Sequence, residues 1–315
     1  MKLKLNILIL IFFIIKINGN DDFKYYAART DTRKCDNNER PKCGGYYVKE
    51  LNTGKEEIEI YVSEINQQDD IGVVNENKIK NAPPFHIVFR GILNRDYLND
   101  VDVAEAHNLY RLMPMPGKTF NLTKDTKFYT LGNPHNLMVP QLNEDDEKNR
   151  FKTILCKEYP KYIKNIQTNW MEYLINTGNS VFTVDSVTIT NNISNTNSDD
   201  INNQYDEEYQ QLFLNNEWSP KYEYNIDNLF ISLTNSNNCP KKIQEIRCVP
   251  GLVATYVRSF NHCYIFFECA PREPQKCLNT IAPICPRGYS LTSIPSYPYG
   301  CLVFYCDPSF LFFNY

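Results

Sequence analysis

Histidine is scarce in this sequence, with four residues in 315, at positions 86, 107, 135 and 262. No H-x3-H, H-E-x-x-H or G-x-S-x-G pattern occurs, so the short signatures of zinc peptidases and serine hydrolases are missing. Positive charge is not in excess either. With 33 Lys+Arg against 37 Asp+Glu the formal charge is −4, which excludes a general phosphate-neutralising surface and argues against nucleic acid as a partner. Beyond the N-terminus no apolar run approaches the roughly 20 residues of a membrane span. There is no C-x2-C pair, so clustered zinc ligation has no local support. Acidic runs at Glu144–Glu147 and Asp206–Glu208 read as solvated faces rather than as a glycosidase pair. The tract from Asn195 to Asp199 has Asp200 where a calcium loop needs glycine. No catalytic residue, metal or cofactor is expected from these patterns.

Cysteine is what the sequence has in quantity: eleven residues. Met1–Asn20 carries Lys2 and Lys4, then the apolar run Leu8–Ile15, then Asn18-Gly19-Asn20. That is the pattern of a secretory signal peptide, residues 1–20. Its removal takes three lysines (2, 4 and 16) and no acid, leaving 30 basic against 37 acidic residues and a mature charge of −7. All eleven cysteines lie beyond it, so they enter an oxidising compartment where a structural disulfide is the default. The mature chain is expected to be exported, with no membrane span. Asn121-Leu-Thr and Asn192-Ile-Ser are glycosylation acceptors in such a chain, at Asn121 and Asn192. The apolar tail Ser309–Tyr315 is too short for a lipid-anchor signal and reads as a strand or flap packed on the last module.

Cysteine density divides the chain. Three cysteines (35, 43 and 156) fall in 21–238, and eight fall in 239–306. The polar stretch Thr234–Asn238 lies at the junction, and a second polar tract near 191–204 reads as an insertion. The expected class is α+β: a mainly β N-terminal domain (21–234) with one or two helices, followed by small disulfide-rich β modules. Strands are expected at Gly45–Leu51, Ile58–Ile65, His86–Leu93, Phe120–Leu122, Phe128–Leu131 and Val181–Thr190. From Tyr162 the 3–4 spacing of Ile163, Ile166, Trp170, Tyr173 and Leu174 predicts a helix that Gly178 can end. Asp206–Leu214 is a weaker helical segment.

The run Tyr26-Ala-Ala-Arg-Thr-Asp-Thr-Arg-Lys-Cys35, followed by Pro41-Lys-Cys-Gly-Gly-Tyr-Tyr-Val48, resembles the opening of a domain of unknown function. That domain recurs in secreted proteins of amoebae and myxobacteria and opens with Arg-x-Asp-x-Arg-x-Cys, a short loop, then Pro-x-Cys-Gly-Gly-Tyr. Looser likeness continues through Tyr61–Ile65, Phe89–Gly91 and 160–190, so that the resemblance covers about 23–190. After Asn52 the chain departs from it, with Glu-Glu-Ile-Glu-Ile where the family often has a further cysteine pair. The resemblance implies export and a domain boundary but no chemistry. By its own residues the motif reads either as a binding surface of Arg29, Asp31 and Arg33, or as a staple in which an ion pair and a Cys35–Cys43 bridge pin a loop. The staple is the first reading.

The C-terminal cysteines form a tandem duplication. Cys239-x8-Cys248-x14-Cys263-x5-Cys269 is followed by Cys277-x7-Cys285-x15-Cys301-x4-Cys306, giving modules 239–269 and 277–306. Neither is large enough to build a core alone, so two bridges per module are expected, with three pairings open in each. Each module should contain a hairpin turning at Asn261-His262 or at Pro298–Gly300. Tyr256, Phe260, Tyr289, Tyr297 and Tyr299 form a possible binding surface, or else cover the bridges. If the modules pair internally and Cys35 pairs with Cys43, Cys156 is the odd thiol. The first functional reading is a secreted binding or structural protein whose partner is an extracellular protein or a glycan. The alternatives are a protease inhibitor using a loop such as Leu291–Tyr299, and a secreted hydrolase.

Overall fold

The computed structural model describes residues 23–36, 42–53, 57–67, 74, 76–130, 153–155, 158–190, 221–233, 246–259, 262–277 and 281–311. Thirteen strands and three helices are described: β1 Lys24–Thr30, β2 Tyr46–Glu50, β3 Ile60–Gln67, α1 Glu76–Lys80, β4 Ile87–Asp96, β5 Val101–Leu112, β6 Phe128–Tyr129, β7 Thr153–Leu155, α2 Glu158–Tyr162, α3 Thr168–Asn176, β8 Ser180–Thr190, β9 Lys221–Ser232, β10 Leu252–Arg258, β11 Tyr264–Pro271, β12 Tyr289–Ser296 and β13 Cys301–Pro308. Nine of these strands form one sheet, and β10-β11 and β12-β13 form two separate hairpins. The chain is mainly β with disulfide-rich modules at its C-terminal end. Among the described residues, no helix is long and apolar enough to cross a membrane.

The large sheet runs β3-β2-β1-β4-β5-β9-β8-β6, with β7 parallel to β9. A further parallel pairing joins Val62–Gln67 of β3 to Asp102–Ala106 of β5. The first five strands therefore close on themselves in a ring. Closure brings backbones close together, and two glycines allow it. A Cβ on Gly45 would lie 2.2 Å from the Val62 carbonyl oxygen, and one on Gly91 would lie 2.0 Å from that of Glu105. The register shift between Arg90 and Gly91 falls at the same place. Later in β5, Tyr110 and Arg111 keep β4 on one side while Tyr110–Leu112 pair on the other with Phe230–Ser232 of β9.

Both faces of the sheet are buried, because successive side chains point to opposite sides. In β4, Ile87 and Phe89 enter the main apolar cluster while Val88 enters a second one. The second cluster joins Val88 to Ala27, Tyr110, Phe128, Val181 and Phe230, with Phe120 and Leu122 packed over it. Phe120 and Leu122 are thus covering residues of an irregular segment, not a strand as expected.

The helix expected from Tyr162 onward is two helices, α2 and α3, broken at 163–167, where Asn165 has φ of 64°. Ile163 and Ile166 still face the main cluster from the turn, which is why their spacing reads through the break. The stop at Gly178 holds. With φ of 71° it closes a Schellman motif in which its N–H donates to Ile175 O (3.2 Å) and that of Asn179 to Leu174 O (2.8 Å). The polar tract near 191–204, the segment Asp206–Leu214, the signal segment, the Thr234–Asn238 junction, Asn192, Phe260, Cys239 and Cys156 lie outside the described residues.

The second hairpin packs on the sheet through the main cluster, which contains Tyr289, Cys306 and Phe310 alongside Trp170, Met171 and Met113, while the first meets α3 by stacking His262 on Trp170. Polar contacts fix the seat. Tyr289 Oη donates to Pro114 O at 2.6 Å, Cys306 N–H to Asn165 O at 3.1 Å, and Gln167 Nε2 to Ser259 O at 3.1 Å. Gln167 is the N-cap of α3 but makes no side-chain cap bond, since its amide reaches the first hairpin instead. The tail, expected on the last module, reaches the large sheet at its start: Phe310 is buried in the main cluster, and the Arg111 guanidinium lies 4.8 Å from its ring centroid.

Candidate functional site

The opening motif folds into a knot around one carboxylate. β1 delivers Asp31 into a buried turn, where its carboxylate accepts from Arg33 Nη2 (2.7 Å), Arg33 Nε (3.0 Å), Arg33 N–H (3.1 Å) and Gly44 N–H (3.2 Å). The Cys35–Cys43 bridge closes the loop, and Arg33 Nη2 donates onward to Lys42 O at 3.2 Å. The Asp31 carboxylate and the two sulfurs lie within 4.8 Å of one another. The sulfurs are bonded to each other, so they offer no thiolate to a metal. Arg33, and to a lesser degree the backbone N–H groups, hold Asp31 down at about pH 2, well below the usual carboxylate range.

Beside the knot lies a shallow groove of about 430 Å³, lined by Arg33, Lys42, Tyr47, Tyr61, Arg95, Asp100, Val101 and Asp102. The Arg29 guanidinium covers the Tyr47 ring at 4.2 Å and pairs with Glu59. Each cation of the groove is answered by an acid: Arg33 by Asp31, Arg95 by Asp100 and Asp102, and Lys42 by Asp100 at 3.5 Å. The groove is therefore close to neutral and offers no uncompensated charge to an anion. Of the three residues read as a possible surface, Asp31 is buried, and Arg29 and Arg33 are engaged within the fold.

The cysteine modules repeat in three dimensions. Second and fourth cysteines join in both, as Cys248–Cys269 and Cys285–Cys306, and first joins third in the second module, as Cys277–Cys301. Cys263 is also disulfide-bonded, to a partner outside the described residues. Equivalent residues repeat the same contacts. Ser259 Oγ donates to Cys263 O (3.0 Å) and Ser296 Oγ to Cys301 O (2.9 Å). His262 and Gly300, each just before the third cysteine, have φ of 65° and 66°. Thr255 Oγ1 donates to Glu268 O at 2.7 Å, while Thr292 Oγ1 donates to Asp307 Oδ2 at 2.6 Å.

The modules differ where they meet. Arg258 and Asp307 stand where the other copy has Pro295 and Ala270, and they form an ion pair at 2.7 Å with side chains 3% and 5% exposed. Arg258 lies over the Tyr305 ring at 4.5 Å, and Arg258 Nε and Nη1 find no hydrogen-bond partner among the described residues. His262 stacks on Trp170 of α3 at 3.9 Å. Burial, and next the Arg258 charge, push its imidazole down to about 2, which favours the neutral ring where an ordinary histidine is charged.

Two pH windows follow. His262 is depressed below its unfolded value of about 6.5 and Asp31 below about 3.9, so each contributes stability above its unfolded pKa and loses it as pH falls. The melting temperature is expected to fall on acidification below about pH 6.5, and again below about pH 4. His86, held down to about 4 chiefly by burial, shares the upper window, so His262→Asn, which tolerates the positive φ, should make the upper part of the profile shallower without abolishing it, and Asp31→Asn the lower part. Thermal melts between pH 7 and pH 2 read both. An unchanged upper limb in His262→Asn would mean that the imidazole does not titrate as placed.

Of the five aromatic residues read as a possible surface, the four among the described residues do not share one. Tyr289 is buried with its hydroxyl on Pro114, because its position in β12 turns it toward the large sheet. Tyr256 is half-buried against Phe266, and Tyr299 is half-buried with the Lys276 ammonium 4.8 Å from its ring centroid. Tyr297 is exposed, at 5.2 Å from Phe267. The exposed apolar stripe runs elsewhere. Val257 pairs with Ile265 across the hairpin, Phe267 lies two residues on where the register shifts, and Tyr297, from the turn of the second hairpin, adjoins Phe267. All four are about half exposed. No alternation in β11 marks it, since Ile265-Phe266-Phe267 is a continuous apolar run and residues 265–268 are all exposed. Of the segment expected as an inhibitor loop, Leu291–Tyr299, residues Leu291–Ser296 belong to strand β12 and pair with β13. Their backbone is engaged in the ladder, which leaves only Tyr297–Gly300 as a turn.

Residues 24–133 match the family model described as "Domain of unknown function (DUF6748)". The match takes in the five-strand ring, the Asp31 knot and the groove, and ends short of the roughly 23–190 expected from the motif. An uncharacterised protein of Dictyostelium discoideum is 25% identical over 317 residues, covering 96% of this chain and 93% of its own length. That likeness therefore extends through the hairpins. No solved structure matches the chain.

Proposed function

We propose that this chain is exported and acts as a disulfide-stapled binding protein, with the apolar stripe of the first hairpin as its contact face. The observation that carries the reading is the exposure of Val257, Ile265, Phe267 and Tyr297 on a bridge-locked ribbon. Leaving such side chains in water forgoes about 25 cal/mol for each Å² that a partner could cover. Val257, Ile265 and Phe267 bring no hydrogen-bonding group to the stripe, so it suits a protein surface better than a sugar, and an extracellular protein is the proposed partner. All nine cysteines among the described residues are disulfide-bonded, which agrees with folding in an oxidising compartment, as does the signal pattern of Met1–Asn20.

The test is to probe an array of extracellular proteins and a glycan array with labelled mature protein, in parallel with a Phe267→Ser/Tyr297→Ser variant. Binding to a protein that weakens at least about tenfold in the variant supports the stripe. Binding to glycans alone, unaffected by the change, would remove it.

A further inference from the structure

A second concavity lies at the other end of the large sheet, where the irregular segment 118–127 passes over β6, β8 and β9. Its volume is about 500 Å³, within the ordinary range of ligand sites. Its walls include two rings, Phe120 and Tyr129. Tyr129 is held by stacking on Phe182, and Phe120 is anchored edge-on against Phe128 and Phe230 of the second cluster. The polar side is a chain of paired groups. Lys118 Nζ donates to Asp227 Oδ1 (3.0 Å), and Asn228 Nδ2 lies 2.7 Å from Asp227 Oδ2 and 3.0 Å from Thr183 Oγ1. Asp125 and Lys127 complete two cations and two acids, so the cleft is neutral overall.

The glycosylation acceptor Asn121-Leu-Thr123 is at its edge. Asn121 is exposed and lines the cleft, next to the anchored Phe120. On its far side the turn is closed by Thr126 Oγ1, which accepts from Thr123 N–H at 3.1 Å and lies 2.9 Å from Thr123 Oγ1. The acceptor asparagine is thus held at the mouth of a neutral cleft walled by rings on one side and by amide, hydroxyl and charged groups on the other. Those are complementary to a sugar, which presents a C–H face to aromatic rings and hydroxyls to hydrogen-bonding groups.

We infer that this cleft is a saccharide site. Two sources could fill it, a glycan on the chain's own Asn121 or an external neutral oligosaccharide, and the own-glycan form rests on the export proposed above. For the first source, the full chain is made in a eukaryotic secretory host and the tryptic peptide Thr119–Lys124 is weighed before and after enzymatic glycan release. The release rate is then compared between the native and the denatured protein. A seated glycan should be released about tenfold more slowly from the native protein, and Asn228→Ala or Lys118→Ala should restore the fast rate with little change in melting temperature. For the second source, Asn121→Gln is applied to an array of neutral oligosaccharides, diacetylchitobiose included, beside Asn121→Gln/Asn228→Ala. Binding that falls about tenfold in the double variant assigns the cleft to an external sugar.

An unmodified Asn121 would defeat the glycosylation reading while the array still decides the cleft. A modified Asn121 that is released equally fast in both states, together with a silent array, overturns the saccharide site and leaves export standing.

Discussion

Asp307→Ala is expected to destabilise the protein by about 3–5 kcal/mol, because it leaves the Arg258 guanidinium buried without its counter-charge. The cost of losing one partner exceeds the net worth of the pair, since both ions gave up their water on burial. Arg258 has nowhere to turn: its side chain is 3% exposed, and Tyr305 covers it from one side. The same change removes the acceptor of the 2.6 Å bond from Thr292. Urea denaturation of the oxidised protein reads the loss directly. Arg258→Met/Asp307→Ala, which removes both charges, should recover much of it. A single Asp307→Ala with wild-type stability would show that the pair is hydrated in solution.

The second large effect is expected from the Cys285–Cys306 bridge. Replacing both cysteines with alanine removes a closure over a separation of 21 residues, about 3 kcal/mol by the chain-entropy relation. Cys306 is also 1% exposed within the main cluster and donates its N–H to Asn165, so the bridge holds the second hairpin against the turn between α2 and α3. Loosening it should therefore expose the Tyr289 and Phe310 contacts together. Hydrogen exchange is the discriminating measurement. Faster exchange confined to β12 and β13 would mean that the hairpin undocks as a unit, while faster exchange reaching α3 would mean that the shared cluster opens with it. Unchanged stability would sink the assignment of this bridge as the hairpin's anchor.

The parts of the fold legible in the sequence are those written in nearest neighbours. Val48 and Tyr46 in β2, Phe89 and Ile87 in β4, and Val181 in β8 stand in β-rich runs, and the cysteine spacing announces two hairpins with their turns. The contacts that are not legible are those between elements far apart in the chain. Nothing near Val62 indicates that β5 will arrive beside it in parallel, and Gly45 and Gly91 mark only the close approaches of their own segments to β3 and β5. Alternation says that Tyr289 faces away from solvent or toward it, but not that Pro114 will be there to accept its hydroxyl. The buried pair of Arg258 and Asp307 is not legible for the same reason, because each module is too small to bury a charge and only the pair of modules does. At the candidate sites, the Asp31 staple could be anticipated because all its parts lie within fifteen residues. The apolar stripe and the cleft beside Asn121 could not, since each is assembled from at least two segments.

Each described bridge of the hairpins ties the outer end of one strand, or the segment leading into it, to the opposite strand: Cys248 to Cys269, Cys277 to Cys301, and Cys285 to Cys306. A backbone cut at the first turn, near Ser259–His262, falls inside the first of these loops, and a cut at Tyr297–Gly300 falls inside the other two. Either cut opens the chain without releasing a fragment. The nicked protein stays one covalent molecule under oxidising conditions, heavier by one water, and gives two pieces only after reduction, so the hairpins can be clipped at their turns and still stay in place.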